Sequence, residues 1–366
     1  MTSLTRRCRP TAWRRLGNAG MRALFRSGVL GWAHCLWPHR LTVLAYHRIA
    51  DPQAPDFVGL AANVSASPEQ FSAQLDLLQR WFNVISLEQL LDWLAGRAEL
   101  PRYPLLITFD DGYRDNFGEA LPALRARGLP AVLFLATSCV NSGRPFFWDA
   151  AAYCFSRTRR SSADLPLLGP RRLDDADARN RALADWLAAA KRLPVAKLGA
   201  LSRSLQAAVA VEIPISAFAG QHLNWKDVAE LAHSGLAIAS HTHSHAILSA
   251  VTLEEARAEV LGAYRRIEVE LGGAPPIFAY PNGQPGDFRG EDVAMLRREG
   301  FVAAFTLLEG PTRLAAARRD PLQIRRILVM HDQELANFAA SVTGVIRLLR
   351  SLRRIAVHLV TPRTRQ

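Results

Sequence analysis

Apolar residues in this chain come in short runs, each followed by a stretch with helical spacing. Runs at 41–47, 82–86, 105–110, 131–136, 236–240, 276–280, 301–307 and 323–329 read as strands. Between them, Ser67-Pro68-Glu69 has the form of a helix N-cap with proline at the first helical position, ahead of a face made by Phe71, Leu75 and Leu78. Further helical patterns at 116–127, 225–233 and 253–271 stop at or near Gly128, Gly235 and Gly272-Gly273, where a left-handed residue ends a helix at no steric cost. Strands alternating with helices predict a parallel sheet closed, or nearly closed, into a barrel.

The stretch 156–221 breaks this rhythm. It is rich in Ala, Leu and Arg, has helical spacing around Leu183, Trp186, Leu187 and Leu198, and carries no strand signal. It predicts a helical insertion in a barrel loop, where lids and specificity elements lie; a packing decoration is the other reading. No internal repeat of 20 to 50 residues is present.

The chain has 366 residues, 49% of them hydrophobic, enough for one large barrel or two ordinary domains. Its net charge of +12 lies at the ends: residues 1–40 hold eight arginines and no acid, and the stretch after Glu334 holds six and no acid, which leaves the middle at −2. At both ends apolar residues with helical spacing are interleaved with arginine. Near the start these are Trp13, Leu16, Gly20 and Leu24 beside Arg15, Arg22 and Arg26; near the end they are Val345, Leu348, Leu349, Leu352, Ile355 and Leu359 beside Arg347, Arg350 and Arg354. Such helices suit an anionic bilayer surface, and they suit equally a helix docked on the barrel with a solvated arginine face. Nucleic acid is not expected, since neither a recognition motif nor an aromatic-basic platform is present.

The expected organisation is a basic amphipathic extension at 1–40, a barrel at 41–335 and a basic helix at 336–366. The apolar stretch 29–37 is interrupted by His34 and falls far short of the ~20 residues that span a bilayer. The arginine-rich start is a poor signal peptide, and Arg6-Arg7 gives little support to a twin-arginine signal. Cys8, Cys35, Cys139 and Cys154 show neither metal-type spacing nor disulfide density. Together these features predict a cytoplasmic protein, peripheral on the inner face of the membrane, with a periplasmic location left open.

Two stretches carry chemistry. Leu105 to Phe109 is a continuous apolar run that ends in Asp110-Asp111-Gly112, the end of a buried strand emerging at the rim where α/β folds place active sites. Adjacent strand residues point to opposite faces, so the two carboxylates share one site only if the chain turns there, as Gly112 permits; an Asp-Gly turn with two solvated acids is the plain alternative. Ser240-His241-Thr242-His243-Ser244-His245 also ends an apolar run. His241 and His245, four apart, face one metal if the chain makes a helical turn, with His243 pointing away. With a carboxylate from Asp111 they make two nitrogen ligands and one oxygen ligand, a composition that leaves positions open for water and substrate. A His-rich surface loop is again the alternative.

Thr-Phe-Asp-Asp-Gly-Tyr at 108–113 together with Ser-His-Thr-x-x-His at 240–245 resembles the polysaccharide deacetylases, the NodB-homology or carbohydrate esterase family 4 proteins. Tyr46-His47, Phe147-Trp148-Asp149, Trp225, Ala279-Tyr280-Pro281-Asn282-Gly283 and Arg326-Ile327 extend the similarity to members associated with exopolysaccharide synthesis. The resemblance covers about residues 41 to 335 and implies a distorted (β/α) barrel that removes an N-acetyl group from an amino sugar in a polysaccharide or lipid-linked glycan. It implies a divalent metal, Zn2+ foremost, held by Asp111, His241 and His245, with Asp110 as general base and the backbone N–H of Asn282 as oxyanion donor. The general acid falls on His331, in Val329-Met330-His331, which only approximates the family's Leu-x-His; His47 is the other candidate. Where relatives carry an arginine that supports the base, this chain has Ala279, and Arg326 is the candidate replacement. His47, Tyr113, Trp148, Trp225, Tyr280 and Arg326 are the candidate substrate contacts. A deformylase or amidase acting on a lipid-linked or small amide keeps the same chemistry, and a catalytically silent glycan-binding barrel is the remaining alternative.

Overall fold

The computed structural model describes residues 12–35, 38–331, 333–347 and 349. The barrel consists of parallel strands β1 (Arg40–Tyr46), β2 (Pro104–Asp111), β3 (Ala131–Leu135), β4 (Leu236–Ser240), β5 (Ile277–Ala279) and β6 (Ala303–Thr306), and a last strand split into β7 (Ile324–Arg325) and β8 (Ile327–Leu328). They are hydrogen-bonded in chain order. β7 pairs with β6 and β8 pairs with β1, so the ring closes around the unpaired residue between them, Arg326. The predicted strand at 82–86 shrinks to Asn83–Val84, a flanking piece beside β2. Thr312–Arg313 adds an antiparallel pair to β1 that the apolar pattern did not announce.

Side-chain alternation sorts the strands into an inner and an outer set. Leu105, Ile107 and Phe109 of β2 pack outward with Leu44, Tyr46 and the helix face of Phe71, Leu75 and Leu78. Leu106 packs inward with Leu41, Val43, Val132, Phe134, Ala239, Phe305 and Ile324. Thr108 and Asp110 continue the inward set, so the strand itself aims Asp110 into the barrel mouth. The helix Pro68–Trp81 is closed at its start by a full capping box, Ser67 with Gln70, in agreement with the proline-led start read from the sequence.

Two regions differ from expectation. The insertion at 156–221 is not wholly helical: Ser162–Leu165 and Gly169–Arg172 form an antiparallel hairpin ahead of the helices Ala176–Ala190 and Val195–Val209. These short strands hold almost no β-branched or aromatic residues and so left no strand pattern to read. The expected continuous basic helix at 336–366 is also broken. Its first part, Leu335–Val342, buries Ala336, Phe338, Ala339 and Ala340 in the outer core and ends before Gly344, which takes φ +79°. Leu348, Arg350 and residues 351–366, among them Leu352, Arg354, Ile355 and Leu359, lie outside the described residues, as does Cys8.

At the other end, Ala12–Arg26 and Val29–Cys35 fold as two helices. Leu30 enters the main core, where Met21 and Phe25 pack beside it, and Arg22 pairs with Glu334 at 3.2 Å. The opposite face leaves Leu24, Val29 and Trp32 in solvent, Trp32 with 81% of its surface exposed. Among the described residues no helix is long and apolar enough to cross a membrane.

Candidate active site and metal centre

Asp110 and Asp111 do meet at one site, and the turn that achieves this begins one residue earlier than Gly112. Asp111 itself is left-handed, φ +77°, and Gly112 follows at φ +91°. Alternation alone would send Asp111 outward; its own left-handed backbone brings it round to face the histidines. Non-glycine residues adopt this region at a cost, Asp more readily than most. Gly112 has no such latitude, because a Cβ there would run into the Leu135 side chain.

Both acids are almost fully buried. Asp110 accepts a two-pronged pair of hydrogen bonds from Arg326, Nη1 to Oδ1 at 2.7 Å and Nη2 to Oδ2 at 2.8 Å. The same guanidinium donates to Thr108 Oγ1 at 3.1 Å, and Thr108 donates in turn to the Leu44 carbonyl at 2.7 Å. A planar fork on a carboxylate fixes direction as well as charge. Burial works to raise the Asp110 pKa, but Arg326, with smaller contributions from His241 and His47, outweighs it and holds the carboxyl below its ordinary value. Asp111 is lowered as well: against burial stand the charges of His47, then His245, then His241.

The histidine loop reaches Asp111 differently from the expected helical turn. Thr242 and His245 both take positive φ, +63° and +58°, and two left-handed residues fold the chain back where a helix would carry it on. His241 continues the inward set of β4. Its Nδ1 lies 2.7 Å from the Ala279 carbonyl, which only accepts, so Nδ1 carries the proton and Nε2 keeps its lone pair. That Nε2 lies 3.7 Å from Asp111 Oδ1, and His245 Nε2 lies 3.3 Å from the same oxygen. Burial lowers the His241 pKa to about 4, so the ring is neutral at physiological pH, the form a metal takes. His243 points away, as expected, and bonds Thr137 at 2.9 Å. Glu259 holds the loop from outside, accepting from Ser244 N at 2.7 Å and Ser244 Oγ at 2.6 Å.

The ligand atoms of Asp111, His241 and His245 all lie within 4.8 Å of one another. Asp111 Oδ1, the oxygen toward which both imidazoles point, is buried without a hydrogen-bond partner, whereas Oδ2 accepts from Asn63 Nδ2 at 3.3 Å. A buried carboxylate oxygen facing two imidazole nitrogens is the donor set of a divalent cation, and the separations suit bonds of ~2.1 Å to a shared ion. The residues present therefore fit a metal.

Behind the ligands stands an aromatic wall. Phe146 stacks on Trp148 at 4.2 Å, and both rings meet His245 edge-on. Trp148 Nε1 donates to the Tyr113 hydroxyl at 2.8 Å, and that hydroxyl donates to Asp149 Oδ2 at 2.7 Å. Burial raises the Asp149 pKa to about 6, an effect the nearby Arg48 partly offsets. His222 stacks on Tyr113 and presses its edge on Phe146; burial lowers its pKa to about 4.

The third edge of the site is the turn after β5. Asn282 and Gly283 are left-handed in succession, φ +61° and +53°, and a Cβ on Gly283 would come within 2.8 Å of the Leu307 nitrogen. Gly283 is thus required by the close approach of the chain after β6, a tighter constraint than keeping the turn open to substrate.

Several expected substrate contacts are placed elsewhere. Tyr280 is fully buried outside the barrel, stacked on Phe288 and donating its hydroxyl to the Leu322 carbonyl, because strand alternation turns it away from the mouth. Trp225 opens the helix Trp225–His233 with its ring under Arg266, packed beside the outer core. Tyr113 and Trp148 do reach the site, but as buried side chains behind Asp111 and His245 and not as an open sugar groove. Arg326 is likewise fully buried on Asp110, out of a substrate's reach. His47 lies at the end of β1, where Tyr46 pairs with Phe109, and its backbone N–H donates to Ser65 Oγ at 2.9 Å. His331 lies alongside, donating its backbone N–H to the Val64 carbonyl next to Asn63.

A family model described as polysaccharide deacetylase matches residues 97–164 and 201–298. The resemblance is to the polysaccharide deacetylases. In Escherichia coli K12, a poly-β-1,6-N-acetyl-D-glucosamine N-deacetylase is 31% identical over 97 residues, which are 26% of this chain and 14% of that protein. The chain therefore matches only a small part of that curated relative's length. Two solved structures share the deacetylase fold over most of this chain. The Streptococcus pyogenes deacetylase PplD, determined with acetate, superposes with a TM-score of 0.54 at 15% identity, over 83% of this chain and 99% of that one. IcaB from Ammonifex degensii superposes with a TM-score of 0.53 at 20% identity, over 84% and 98%.

Residues missing from the sequence reading are those that support others. Arg48 begins a two-residue strand, Arg48–Ile49, and Asn63 ends the short 3-10 turn Ala61–Asn63, elements too brief to leave a pattern. Asp149 stood in the quoted Phe-Trp-Asp run, and its place beside an aromatic pair was the available signal.

Proposed function

We propose that the site hydrolyses the N-acetyl group of an amino sugar in a polysaccharide or lipid-linked glycan, releasing acetate and a free amine. The observation that carries this reading is a buried carboxylate, Asp110, gripped by Arg326 and set beside a three-ligand metal set, Asp111, His241 and His245. A glycan-binding barrel has no need of a base next to a metal. When bound, a divalent ion, Zn2+ in our reading, supplies Lewis acidity for the amide carbonyl and lowers the pKa of water toward ~7.

The chain's own residues account for the proton movements. Asp110 accepts the proton of the attacking water, and Arg326 keeps that carboxylate ionised and aimed. As the carbon becomes tetrahedral its oxygen gains charge, which the Asn282 backbone N–H receives. The C–N bond then breaks and the leaving nitrogen takes a proton. We assign that donation to His47, which follows Tyr46 on β1 level with the start of the Asp110-Asp111 pair, in preference to His331.

The name of the Escherichia coli relative supplies the first substrate to test, a β-1,6-linked N-acetylglucosamine oligomer. Acetate release from it, with no formate from the N-formyl analogue, is the expected outcome. Formate release without acetate would favour the deformylase reading.

We also infer that the protein works at the cytoplasmic face of an anionic membrane, a reading supported by the exposed Leu24, Val29 and Trp32 beside the exposed Arg26. Flotation with phosphatidylglycerol-containing vesicles is expected for the intact protein and not with phosphatidylcholine alone, and Trp32→Ser should weaken it about tenfold. Intact protein that stays at the bottom of both gradients would remove the membrane reading.

A further inference from the structure

The family model leaves residues 165–200 unmatched, yet this stretch reaches into the site. The helix Ala176–Ala190 starts on Asp175, whose side chain accepts from Ala178 N, and buries Ala182, Trp186 and Ala190 in the insertion's own core. Trp186 meets Phe147, and Leu187 packs against the cluster of Tyr113, Phe146 and Trp148. The helix is thereby seated on the aromatic wall behind the metal ligands, and the residue at its end, Lys191, points at the turn after β5. Lys191 Nζ donates to Asn282 Oδ1 at 3.0 Å. From the other side Asn282 Nδ2 donates to Asp287 Oδ2 at 2.5 Å, and the same carboxylate oxygen accepts from Gln284 N at 2.8 Å.

We propose that Lys191 is a positioning residue of the active site: its ammonium clamps the Asn282 side chain and so fixes the Asn282 backbone N–H where the substrate's carbonyl oxygen gains charge. The proposal rests on the deacetylase reading for its catalytic half and on geometry alone for its structural half. Asn282 is a non-glycine residue held left-handed beside a left-handed Gly283, a backbone that persists only when its surroundings over-determine it. Gripping both ends of the Asn282 amide provides that constraint.

Lysine is an expensive choice for mere packing. Burial pulls its ammonium toward the neutral form, against the attraction of Asp287 and Asp111. A leucine or methionine would fill the same space without that cost. The attraction of Asp111 also shows that the ammonium lies within electrostatic reach of the metal set. The insertion is thus more than the decoration its sequence allowed, since it completes the edge of the site opposite Asp110.

The test uses Lys191→Met, Asn282→Ala and the double variant in the full chain, with Lys191→Arg as the conservative substitution. Metal content is measured first and is expected to match wild type in all variants; the thermal midpoint is expected to match in the Lys191 variants and to fall in those carrying Asn282→Ala, where alanine must hold φ +61° without the bonds of the amide. In Lys191→Met, kcat on the N-acetylglucosamine oligomer should fall about tenfold with KM within twofold. Asn282→Ala should fall similarly, and the double variant no further than the worse single one, since both break one clamp. Lys191→Arg should recover part of the loss.

Amide hydrogen exchange supplies a readout that needs no activity: the peptide covering 280–287 should exchange about tenfold faster in Lys191→Met and unchanged in Lys191→Arg. Unchanged exchange at 280–287, or losses that multiply in the double variant, would overturn the clamp. So would a lowered midpoint in both Lys191 variants without a selective change at that turn. An inactive wild type with the expected exchange pattern would leave the clamp standing and remove the deacetylase reading instead.

Discussion

Asp110→Asn is expected to keep its metal and lose turnover, whereas His241→Ala is expected to lose both. The two residues lie in one pocket but touch different partners. Asp110 has both oxygens on Arg326, while His241 points its free nitrogen at Asp111 and is locked in that tautomer by the Ala279 carbonyl. Asparagine keeps the shape of the side chain and removes the proton acceptor. The expected loss in kcat is about 10²- to 10⁴-fold, the usual contribution of a positioned base. Removing one of three protein ligands empties the site. Elemental analysis of both variants beside their acetate release checks this, and equal metal content in the two would separate the roles wrongly drawn.

Arg326→Met should damage the protein in two measurable ways. It strips the counter-ion bonded to a buried carboxylate, which costs about 3–5 kcal/mol when a buried pair is broken from one side. It also removes the influence that outweighs burial, so the Asp110 pKa moves up. The sign of the pH dependence follows. With Arg326 present the folded-state pKa of Asp110 lies below its unfolded value, so its stabilising contribution is complete above that unfolded value, about 3.9, and is lost only as pH falls through the lower folded value. In Arg326→Met this protection disappears. The acid limb of kcat/KM should shift to higher pH than in wild type. An unshifted limb would mean that Arg326 does not govern the base.

The barrel was legible because its strands are buried on both faces and read as apolar runs, with β4 recovered to the residue. Asp110, Asp111, His241 and His245 were legible as a set because two short motifs both close apolar strands. What the sequence could not carry was the backbone geometry that joins them. A left-handed Asp111, and left-handed Thr242 and His245 in place of a helical turn, are choices that tertiary contacts impose on residues able to adopt either form. Arg326 was visible as a candidate, but the strand break that lets it enter the barrel between β7 and β8 was not. Tyr280 and Trp225 were misplaced because nearness to a motif says nothing about which face of a strand or helix a ring occupies. Lys191 gave no signal at all, since its partner is 91 residues away and its own helix reads as an ordinary Ala-rich one.

The most direct measurement is acetate release from an N-acetylglucosamine oligomer by freshly purified protein, with metal content determined on the same sample before chelation, after chelation and after refilling with Zn2+. The expected result is near one equivalent of metal, activity that disappears with the metal and activity that returns with it. Acetate release that survives complete removal of the metal, or a protein that takes up no divalent ion at all, would contradict the assignment of Asp111, His241 and His245 as a catalytic metal set.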